Sequence, residues 1–440
     1  MLPEQRLPGS WRALLDAFTD CFTTPTFGVF TALMTGLVAQ TGTRSVCGMW
    51  TAAGLSRAVP HDRAHRFFNA AVWSIDAIGA VVLRLIVTHL LPPDAPVELA
   101  VDDTAHRRTG RTIHGAGWVH DGAGKVPGKG RGKLSFGHRW VTVGVIVEFP
   151  FLTRPVCLPV ACRRWKGKGT PSVVAIAADL ITQITARLPD RRIDVVADAA
   201  YHGKPLQTLP PATTFTTRLP RTAVLDDLPP APTGRRGRPR KRGARLGTPA
   251  QIAETLDWQE TTVTRYGRTE TTRVAVIDCL WYGSFATTPM RMICVADRKD
   301  PRALLALITT DLTSTPAQIV SRYATRWSLE VTFFDTRQTL GVGQARNRTP
   351  HAVERTWPLG MYLYSLILIW YATTGHHPQI VTDRQLNAPW YLDKTDPSFA
   401  DILTHLRRVL ITARFFHIHP AQPTPTEIRQ VQEAWALAAA

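Results

Sequence analysis

Two strand-like runs of the sequence end in aspartates, a residue type that binds divalent cations. Asp102 and Asp103 close the run PVELAVDD, and Asp198 lies near the end of RIDVVADAAY. If these runs are neighbouring strands, their carboxylates meet at one edge of a sheet. Two divalent ions about 4 Å apart need such hard oxygen ligands, completed by a third carboxylate from another element. An aspartate at a strand end is more often a turn former, so these residues alone do not decide between the two interpretations.

The segment from residue 321 to residue 341 reads as a helix and supplies a candidate third carboxylate, Glu330. Four residues stand at offsets of 0, 3, 7 and 14 along it: Tyr323, Arg326, Glu330 and Arg337. At about 100° per residue these positions project within about 60° of one another, so the side chains share one face. A carboxylate between cationic and phenolic groups suits a metal ligand beside phosphate contacts. An exposed helix with an ion pair between Arg326 and Glu330 explains the same residues.

A strongly basic segment lies in the middle of the chain, where residues 234–243 read GRRGRPRKRG. Its basic residues are Arg235, Arg236, Arg238, Arg240, Lys241 and Arg242. The segment has no apolar residue to bury and its charges repel one another, so it cannot fold on its own. It resembles an AT-hook, whose Gly-Arg-Pro core lies in the narrow minor groove of A·T-rich DNA. A disordered arm that binds phosphates without sequence preference explains the same residues.

The chain as a whole is basic, with 52 Lys and Arg against 34 Asp and Glu and a formal charge of +18. This excess favours a polyanionic partner, either a nucleic acid or an anionic membrane surface. The uncharged stretch 356–375 is nearly long enough to span a membrane, but its Pro358 and Gly360 favour a buried core helix. The six cysteines form no CxxC pair, and no signal peptide pattern is present. We therefore expect buried thiols, a reducing cytoplasm and no membrane.

Apolar periodicity divides the chain into a helical and a mixed region. Residues 10–90 predict helices, and the basic, aromatic run HDRAHRFFNAAVW suits either DNA binding or an ordinary helical bundle. From residue 95 the order β-β-β-α-β-α-β predicts a mixed sheet with covering helices, followed by an antiparallel β subdomain. The Gly-rich region 110–137 has neither P-loop nor GxGxxG spacing. We interpret it as a mobile basic loop on a nucleic-acid backbone or as a plain solvated loop.

The acidic motifs, taken in order, resemble those of bacterial insertion-sequence transposases of the DDE type. The run YATRWSLEVTFFDTR, from Tyr323 to Arg337, is similar to the Tyr-Arg-Glu-Lys signature of that family, with Arg337 in place of the lysine. AVDDT surrounds the first acid, and ADAAYHG around Asp198 is similar to the family's Asp-x2-Tyr-x-Gly pattern. The resemblance extends from about residue 60 to about residue 375.

This resemblance implies an α/β fold, namely an RNase H-like mixed sheet with helices, interrupted by a β-rich insertion, plus an N-terminal helical domain. The expected domains are a helical DNA-binding domain (1–94), a catalytic core in two parts (95–220 and 316–375), a β-rich insertion with the basic arm (221–315) and a C-terminal helical segment (376–440). The insertion accounts for the separation of 132 residues from Asp198 to Glu330, against 96 from Asp102 to Asp198. The basic arm lies at the start of this insertion, from which it could reach bound DNA.

The resemblance also implies a metal site. Asp102, Asp198 and Glu330 are expected to hold two Mg²⁺ ions, for which Mn²⁺ can substitute. The first acid of the family stands two residues before a threonine, which selects Asp102. Asp103 is then its neighbour or a further ligand.

Phosphate contacts come from the same helix by resemblance. Tyr323, Arg326 and Arg337 are expected to hold the phosphates around the transferred DNA end. Trp327 packs against the core or touches a base, and the core is the preferred interpretation. Arg337 keeps the charge of the lysine that it replaces, although the two side chains are not equivalent.

The implied activity is cleavage of insertion-sequence ends and their joining to target DNA in the bacterial cytoplasm, in association with the nucleoid. The partners would be double-stranded DNA, both terminal inverted repeats and target, and a second copy of the chain in the DNA complex. Two alternatives remain open. One is a catalytically inactive, transposase-derived DNA-binding protein, and the other is an RNase H-like structure-selective nuclease without strand transfer.

Overall fold

The N-terminal part of the chain is helical, as its apolar periodicity predicts. A computed structural model describes residues 7–121, 125–126, 130–131, 134–231, 239–296, 304–415 and 429. Its first helices are α1 (Gly9–Asp16), α2 (Thr24–Ala39), α3 (Val46–Ala52), α4 (Asp62–Asn69) and α5 (Ile75–Leu90). Phe22 stacks on Phe30 with ring centroids 4.7 Å apart, and Phe67 stacks on Trp73 at 4.8 Å. These helices therefore share one aromatic core.

A mixed sheet follows the helices. Its strands and first covering helix are β1 (Val97–Arg107), β2 (Gly117–His120), β3 (Lys125–Val126), β4 (Gly130–Arg131), β5 (Leu134–Val147), β6 (Val156–Trp165), α6 (Val173–Thr185), β7 (Ile193–Ala197) and β8 (Thr213–Arg218). Neighbouring strands run in the order β6-β5-β1-β7-β8. β1 is antiparallel to β5 and parallel to β7, and β7 is parallel to β8. These directions are those of an RNase H-like sheet, so the predicted fold class is confirmed.

The Gly-rich region 110–137 contains strands, so the prediction that it is a loop was wrong in part. β2 pairs antiparallel with the start of β5, with Trp118 opposite Phe136. β3 pairs with β4, with Lys125 opposite Arg131. Strand pairing uses backbone groups, so it tolerates a sequence without apolar alternation. Residues 122–124, 127–129 and 132–133 lie outside the described residues.

The β-rich insertion forms a small two-stranded sheet with its first two strands and continues the core sheet with its last four. Its elements are β9 (Leu225–Asp226), β10 (Arg245–Gly247), α7 (Pro249–Ala253), β11 (Gln259–Arg265), β12 (Arg268–Cys279), α8 (Tyr282–Phe285), β13 (Met290–Ala296) and β14 (Leu304–Thr309). β11 to β14 pair antiparallel in chain order. β14 then pairs with β8, with Ile308 opposite Thr217. The predicted antiparallel strands are present, and they extend the core sheet at its β8 edge.

The segment predicted as one helix at 321–341 is two helices. The helices after the insertion are α9 (Pro316–Thr325), α10 (Trp327–Gln338), α11 (Pro350–Trp370), α12 (Gln379–Asn387) and α13 (Phe399–Phe415). α9 and α10 meet at Arg326, where the amide of Arg326 donates to the carbonyl of Tyr323 at 3.2 Å and the amide of Leu329 to that of Arg326 at 3.0 Å. This i→i+3 spacing tightens the junction. α9 begins earlier than predicted because Thr315 and Gln318 form a capping box.

The uncharged stretch 356–375 lies mostly in α11, and the prediction of a buried core helix is confirmed. Trp357 and Trp370 are each 2% exposed. The Ser365 hydroxyl donates to the carbonyl of Pro159 on β6 at 2.8 Å, which fixes α11 to the sheet. Among the described residues, no helix combines the length and apolar character needed to cross a bilayer.

The six cysteines are free thiols, but not all of them are buried. The buried ones are Cys157, Cys162, Cys279 and Cys294. Burial raises the pKa of Cys162 to about 12, which keeps its thiol protonated. Cys21 is partly exposed and Cys47 is exposed, so the expectation of burial was wrong for these two.

Candidate active site

Two of the candidate acids lie side by side at one edge of the sheet. β1 and β7 run parallel with Val101 opposite Ala197, and Asp102 and Asp198 are the residues that directly follow this pair. β7 ends at Ala197, and the chain turns there with the amide of Tyr201 donating to the carbonyl of Asp198 at 2.9 Å. β1 continues to Arg107, so the prediction that Asp102 and Asp103 close a strand was wrong. The parallel pairing nevertheless places Asp102, inside β1, beside Asp198, which directly follows β7.

One arginine joins the first acid to the acid of the helix. Arg326 donates from Nη1 to Oδ2 of Asp102 at 3.1 Å and from Nη2 to Oε1 of Glu330 at 2.9 Å. Its side chain is 13% exposed and that of Asp102 17%, whereas that of Glu330 is 34% exposed, so the bond to Asp102 is the better shielded from water. The guanidinium group of Arg326 therefore lies between Asp102 and Glu330, which brings the carboxylate of Glu330 close to that of Asp102.

Negative charge is concentrated at this edge of the sheet. Burial raises the pKa of Asp102 to about 7, and the carboxylates of Asp103 and Asp198 add to the rise, while Arg326 opposes it. Burial alone would lower the pKa of Arg326, but the surrounding charges, that of Asp102 foremost, raise it. A bound divalent cation would favour the ionised carboxylates, because a positive ion stabilises negative ligands.

Asp103 stands next to Asp102 but has different partners. Arg139 donates to both of its oxygens, at 2.5 and 2.9 Å. The Tyr201 hydroxyl donates to its Oδ1 at 3.0 Å. Successive residues of a strand project to opposite sides, which separates the surroundings of the two aspartates. Sequence reasoning gave Arg139 and Tyr201 no role; Tyr201 belongs to the Asp-x2-Tyr-x-Gly pattern, which was the available signal, whereas no motif pointed to Arg139.

Tyr323 and Arg337 also lie near the carboxylates. The guanidinium carbon of Arg326 is 5.9 Å from the centroid of the Tyr323 ring. Arg337 donates from Nη1 to the hydroxyl of Thr104 at 3.3 Å, and from Nε to a backbone carbonyl of its own helix at 2.9 Å. Thr104 is two residues beyond Asp102 on β1. Tyr323 therefore contacts the arginine that bridges the acids, and Arg337 contacts the strand that carries Asp102.

Trp327 lies apart from this cluster. Its side chain is 50% exposed, so the preferred expectation that it packs in the core was wrong. It lines a cleft with Val331 and Phe334, and the described residues around that cleft include none of the three candidate metal ligands. One residue is about 100° of helix rotation, which turns Trp327 away from the direction of Arg326.

The structure describes only part of the basic segment. Three of its basic residues lie outside the described residues: Arg235, Arg236 and Arg238. The other three are described and are exposed to solvent: Arg240, Lys241 and Arg242. Arg242 pairs with Asp226 at 3.5 Å, and its guanidinium carbon lies 4.9 Å from the ring centroid of Tyr282. The end of the segment is thus attached to the start of the insertion.

Arg242 also lines a cavity of about 820 Å³ that sequence reasoning missed. Other lining residues are His202, Trp281 and Ser284. The Nδ1 atom of His202 is 3.0 Å from the Ser284 hydroxyl, and its ring centroid is 4.8 Å from that of Trp281. His202 follows Asp198 by four residues in the sequence, but the described lining of the cavity includes none of the three candidate metal ligands. No spacing pattern in the sequence links these positions.

A comparison with protein families identifies the chain. A family model described as DDE superfamily endonuclease matches residues 17–278. The match includes the strands that lead to Asp102 and Asp198 and ends before α10, which carries Glu330. No curated protein matches the chain. Because the match covers more than half of the 440 residues, the chain belongs to the DDE superfamily of endonucleases.

Proposed function

We propose that the protein is the transposase of an insertion sequence, which cleaves the ends of its element and joins them to target DNA. The observation that carries the proposal is the Arg326 bridge, which holds Asp102 to Glu330 beside the strand end of Asp198. Three carboxylates at one sheet edge, with cationic side chains next to them, suit metal-assisted cleavage of a phosphodiester. The Tyr-Arg-Glu spacing across α9 and α10 supports assignment to the Tyr-Arg-Glu-Lys group of bacterial transposases.

The donor set fits Mg²⁺ or Mn²⁺. Asp102, Asp198 and Glu330 offer hard carboxylate oxygens, the ligands that these ions prefer. When bound, a pair of such ions would polarise the scissile phosphate and make an attacking water or 3′-hydroxyl more acidic. Asp103 would act as a positioning residue through Arg139 rather than as a main ligand.

The cationic side chains would hold the DNA end. Arg326 has five N–H donors and uses two of them on the carboxylates, which leaves others for a phosphate oxygen. Arg337 is held by a hydroxyl and a backbone carbonyl, so its charge is available to a second phosphate. Tyr323 would add a hydroxyl donor at the same edge.

Double-stranded DNA would be the partner, as terminal inverted repeats and as target. The helical domain (1–94) would recognise the repeats through exposed side chains such as Arg63 and Arg66 on α4. The basic segment, at the start of the insertion (221–315), would contact the DNA backbone or an A·T-rich minor groove. Two ends held together imply a homodimer in the DNA complex, in a bacterial cytoplasm and associated with the nucleoid.

The test is a cleavage assay with Mg²⁺ and a DNA fragment that carries the element's own end and its flanking sequence. Wild type should cut at the end and transfer the strand to a second duplex. Glu330→Gln should cut at least about 100-fold more slowly. Loss of a residue that only hydrogen-bonds a metal ligand costs about 10- to 100-fold in activity, and loss of a ligand itself should cost more. Glu260→Gln, an exposed glutamate on β11, is the matched control and should keep wild-type activity. End-specific binding without cutting by wild type would instead indicate an inactive DNA-binding protein.

A structure-selective nuclease is the second candidate, because the matching family is named for endonuclease activity. The same assay separates the two functions. A nuclease would cut branched or hairpin DNA regardless of the end sequence and would yield no joined product.

A further inference from the structure

A second group of metal-binding side chains lies in the N-terminal helical bundle. Cys47 is in the first turn of α3, His61 immediately precedes α4, and His65 lies on α4. A ligand atom of each residue lies within 4.8 Å of those of the other two. All three residues are exposed to solvent. The group belongs to different elements from the acidic cluster on β1, β7 and α10.

We propose that Cys47, His61 and His65 form a zinc site with water as the fourth ligand. Zinc prefers tetrahedral nitrogen and sulfur ligands, and its usual bond lengths put sulfur and nitrogen about 3.6 Å apart on one ion. The Sγ atom of Cys47 is 3.4 Å from Nε2 of His65, close to that separation. His61 and His65 are four residues apart, the spacing that brings two imidazoles to one side of a helix. Thiolate and imidazole donors select zinc over Mg²⁺ or Ca²⁺.

The buried side of the same helices holds these residues in place. Trp50 on α3 donates from Nε1 to the carbonyl of Val59 at 2.9 Å, which fixes the segment before His61 against α3. On α4, Ala64 precedes His65 and Phe68 follows it, and both are buried, which fixes the helix that carries His65. Binding would therefore order little additional chain, and the site would form at low entropic cost.

A thiol beside an imidazole could instead be a nucleophile with its base. Such a pair needs one imidazole, whereas this group offers two, each with a ring nitrogen within 4.8 Å of the sulfur. A zinc ion bound here would join α3 to the start of α4, which carries the exposed Arg63 and Arg66. The role of the site would be structural, fixing a basic helix.

Protection of the thiol tests the site in the full chain, after treatment with a chelator and titration with Zn²⁺. Cys47 is exposed while four cysteines are buried, so a thiol reagent should modify Cys47 first. At a free zinc concentration 100 times the Kd, about 1% of the sites hold no zinc, so modification of Cys47 should slow by about 100-fold. Co²⁺ should give the charge-transfer absorption of a cobalt–thiolate bond, which carboxylate ligands cannot produce.

Variants separate this site from the acidic cluster. His65→Ala should lose both the protection and the cobalt absorption while its circular dichroism stays that of wild type; His61→Ala is the second variant if His65→Ala does not fold. His89→Ala, an exposed histidine on α5, is the matched control and should keep both signals. Asp102→Asn should also keep both. A modification rate unaffected by zinc, or cobalt absorption that survives both histidine variants, would overturn the proposal.

Discussion

Replacing Asp102 by asparagine should make the metal-free protein more stable at pH 8. Burial, with the charges of Asp103 and Asp198, raises the pKa of this carboxyl from 3.8 to about 7 on folding, against the opposing charge of Arg326. The folded protein therefore binds the proton more tightly than the unfolded chain. The resulting penalty on the free energy of unfolding is absent below about pH 4, grows as the pH rises, and is complete above about pH 7.

The magnitude follows from the two pKa values. The difference between 3.8 and about 7 corresponds to about 4 kcal/mol above pH 7. The pKa of about 7 already includes the attraction of Arg326 for the ionised carboxylate, and asparagine resembles the neutral carboxyl group. The net gain at pH 8 is therefore about 4 kcal/mol. At pH 5 the penalty is only about 1.5 kcal/mol, so the gain should fall to about that value.

Urea unfolding with EDTA present, followed by tryptophan fluorescence at pH 5 and pH 8, measures this difference. Asp257→Asn is the matched control, because Asp257 is exposed and the same charge is removed there. Adding Mg²⁺ should stabilise wild type more than Asp102→Asn, since the variant has lost one carboxylate of the cluster. An Asp102→Asn protein that is less stable than wild type at pH 8, or a gain equal at both pH values, would refute the reasoning.

Three further changes test other parts of the structure. Gly341→Ala should destabilise the protein by about 1–3 kcal/mol in urea unfolding, because Gly341 has φ +74° and an added Cβ would lie 2.7 Å from Cδ of Arg44; wild-type stability would contradict this conformation of Gly341. Asp311→Asn should cost about 3–5 kcal/mol in the same assay, because its 1%-exposed side chain pairs with two arginines. Burial alone would raise the pKa of Asp311, but its hydrogen bonds lower the pKa by more than burial raises it. The ionised carboxylate therefore stabilises wild type, and this stabilisation should be lost as the pH falls below about 4. A stability difference between wild type and Asp311→Asn that does not change with pH would exclude the ion pairs as the cause. Replacing Arg240 and Lys241 together by alanine should weaken the salt dependence of DNA binding, measured by fluorescence anisotropy. The slope of the logarithm of the binding constant against the logarithm of the salt concentration should become about 1.8 shallower, because each lost phosphate contact contributes about 0.9. An unchanged slope would show that neither residue contacts a phosphate.

The fold class was predictable because buried parallel strands are apolar runs closed by polar residues. The runs before Asp102 and Asp198 both have this form, and the strand order made them neighbours in the sheet. Parallel pairing of β1 and β7 then places Asp102 beside Asp198 without information from any other part of the chain, although β1 continues to Arg107, which the sequence pattern did not predict. The helical N-terminus and the core helix α11 were predictable for the same reason, since burial imposes a periodic pattern.

The remaining features depend on contacts between residues that no pattern connects. Arg139 lies 36 residues from Asp103, its partner, and His202 lies 82 residues from Ser284. The exposure of Trp327 depends on which elements cover α10. Arg326, at the junction of α9 and α10, contacts Asp102, which lies 224 residues away in the sequence. Residues 232–238 lie outside the described residues, so the AT-hook interpretation stays a prediction.

The pairing of β14 with β8 has a consequence for how this chain can change in length. The insertion is not a detachable module, because deleting residues 221–315 would remove the neighbour of β8. The backbone groups of residues 216–218 that now pair with β14 would become an open sheet edge, and such an edge invites pairing between molecules. A shorter relative that lacks the insertion should therefore protect β8 in another way, with a proline, a charged side chain or a covering segment.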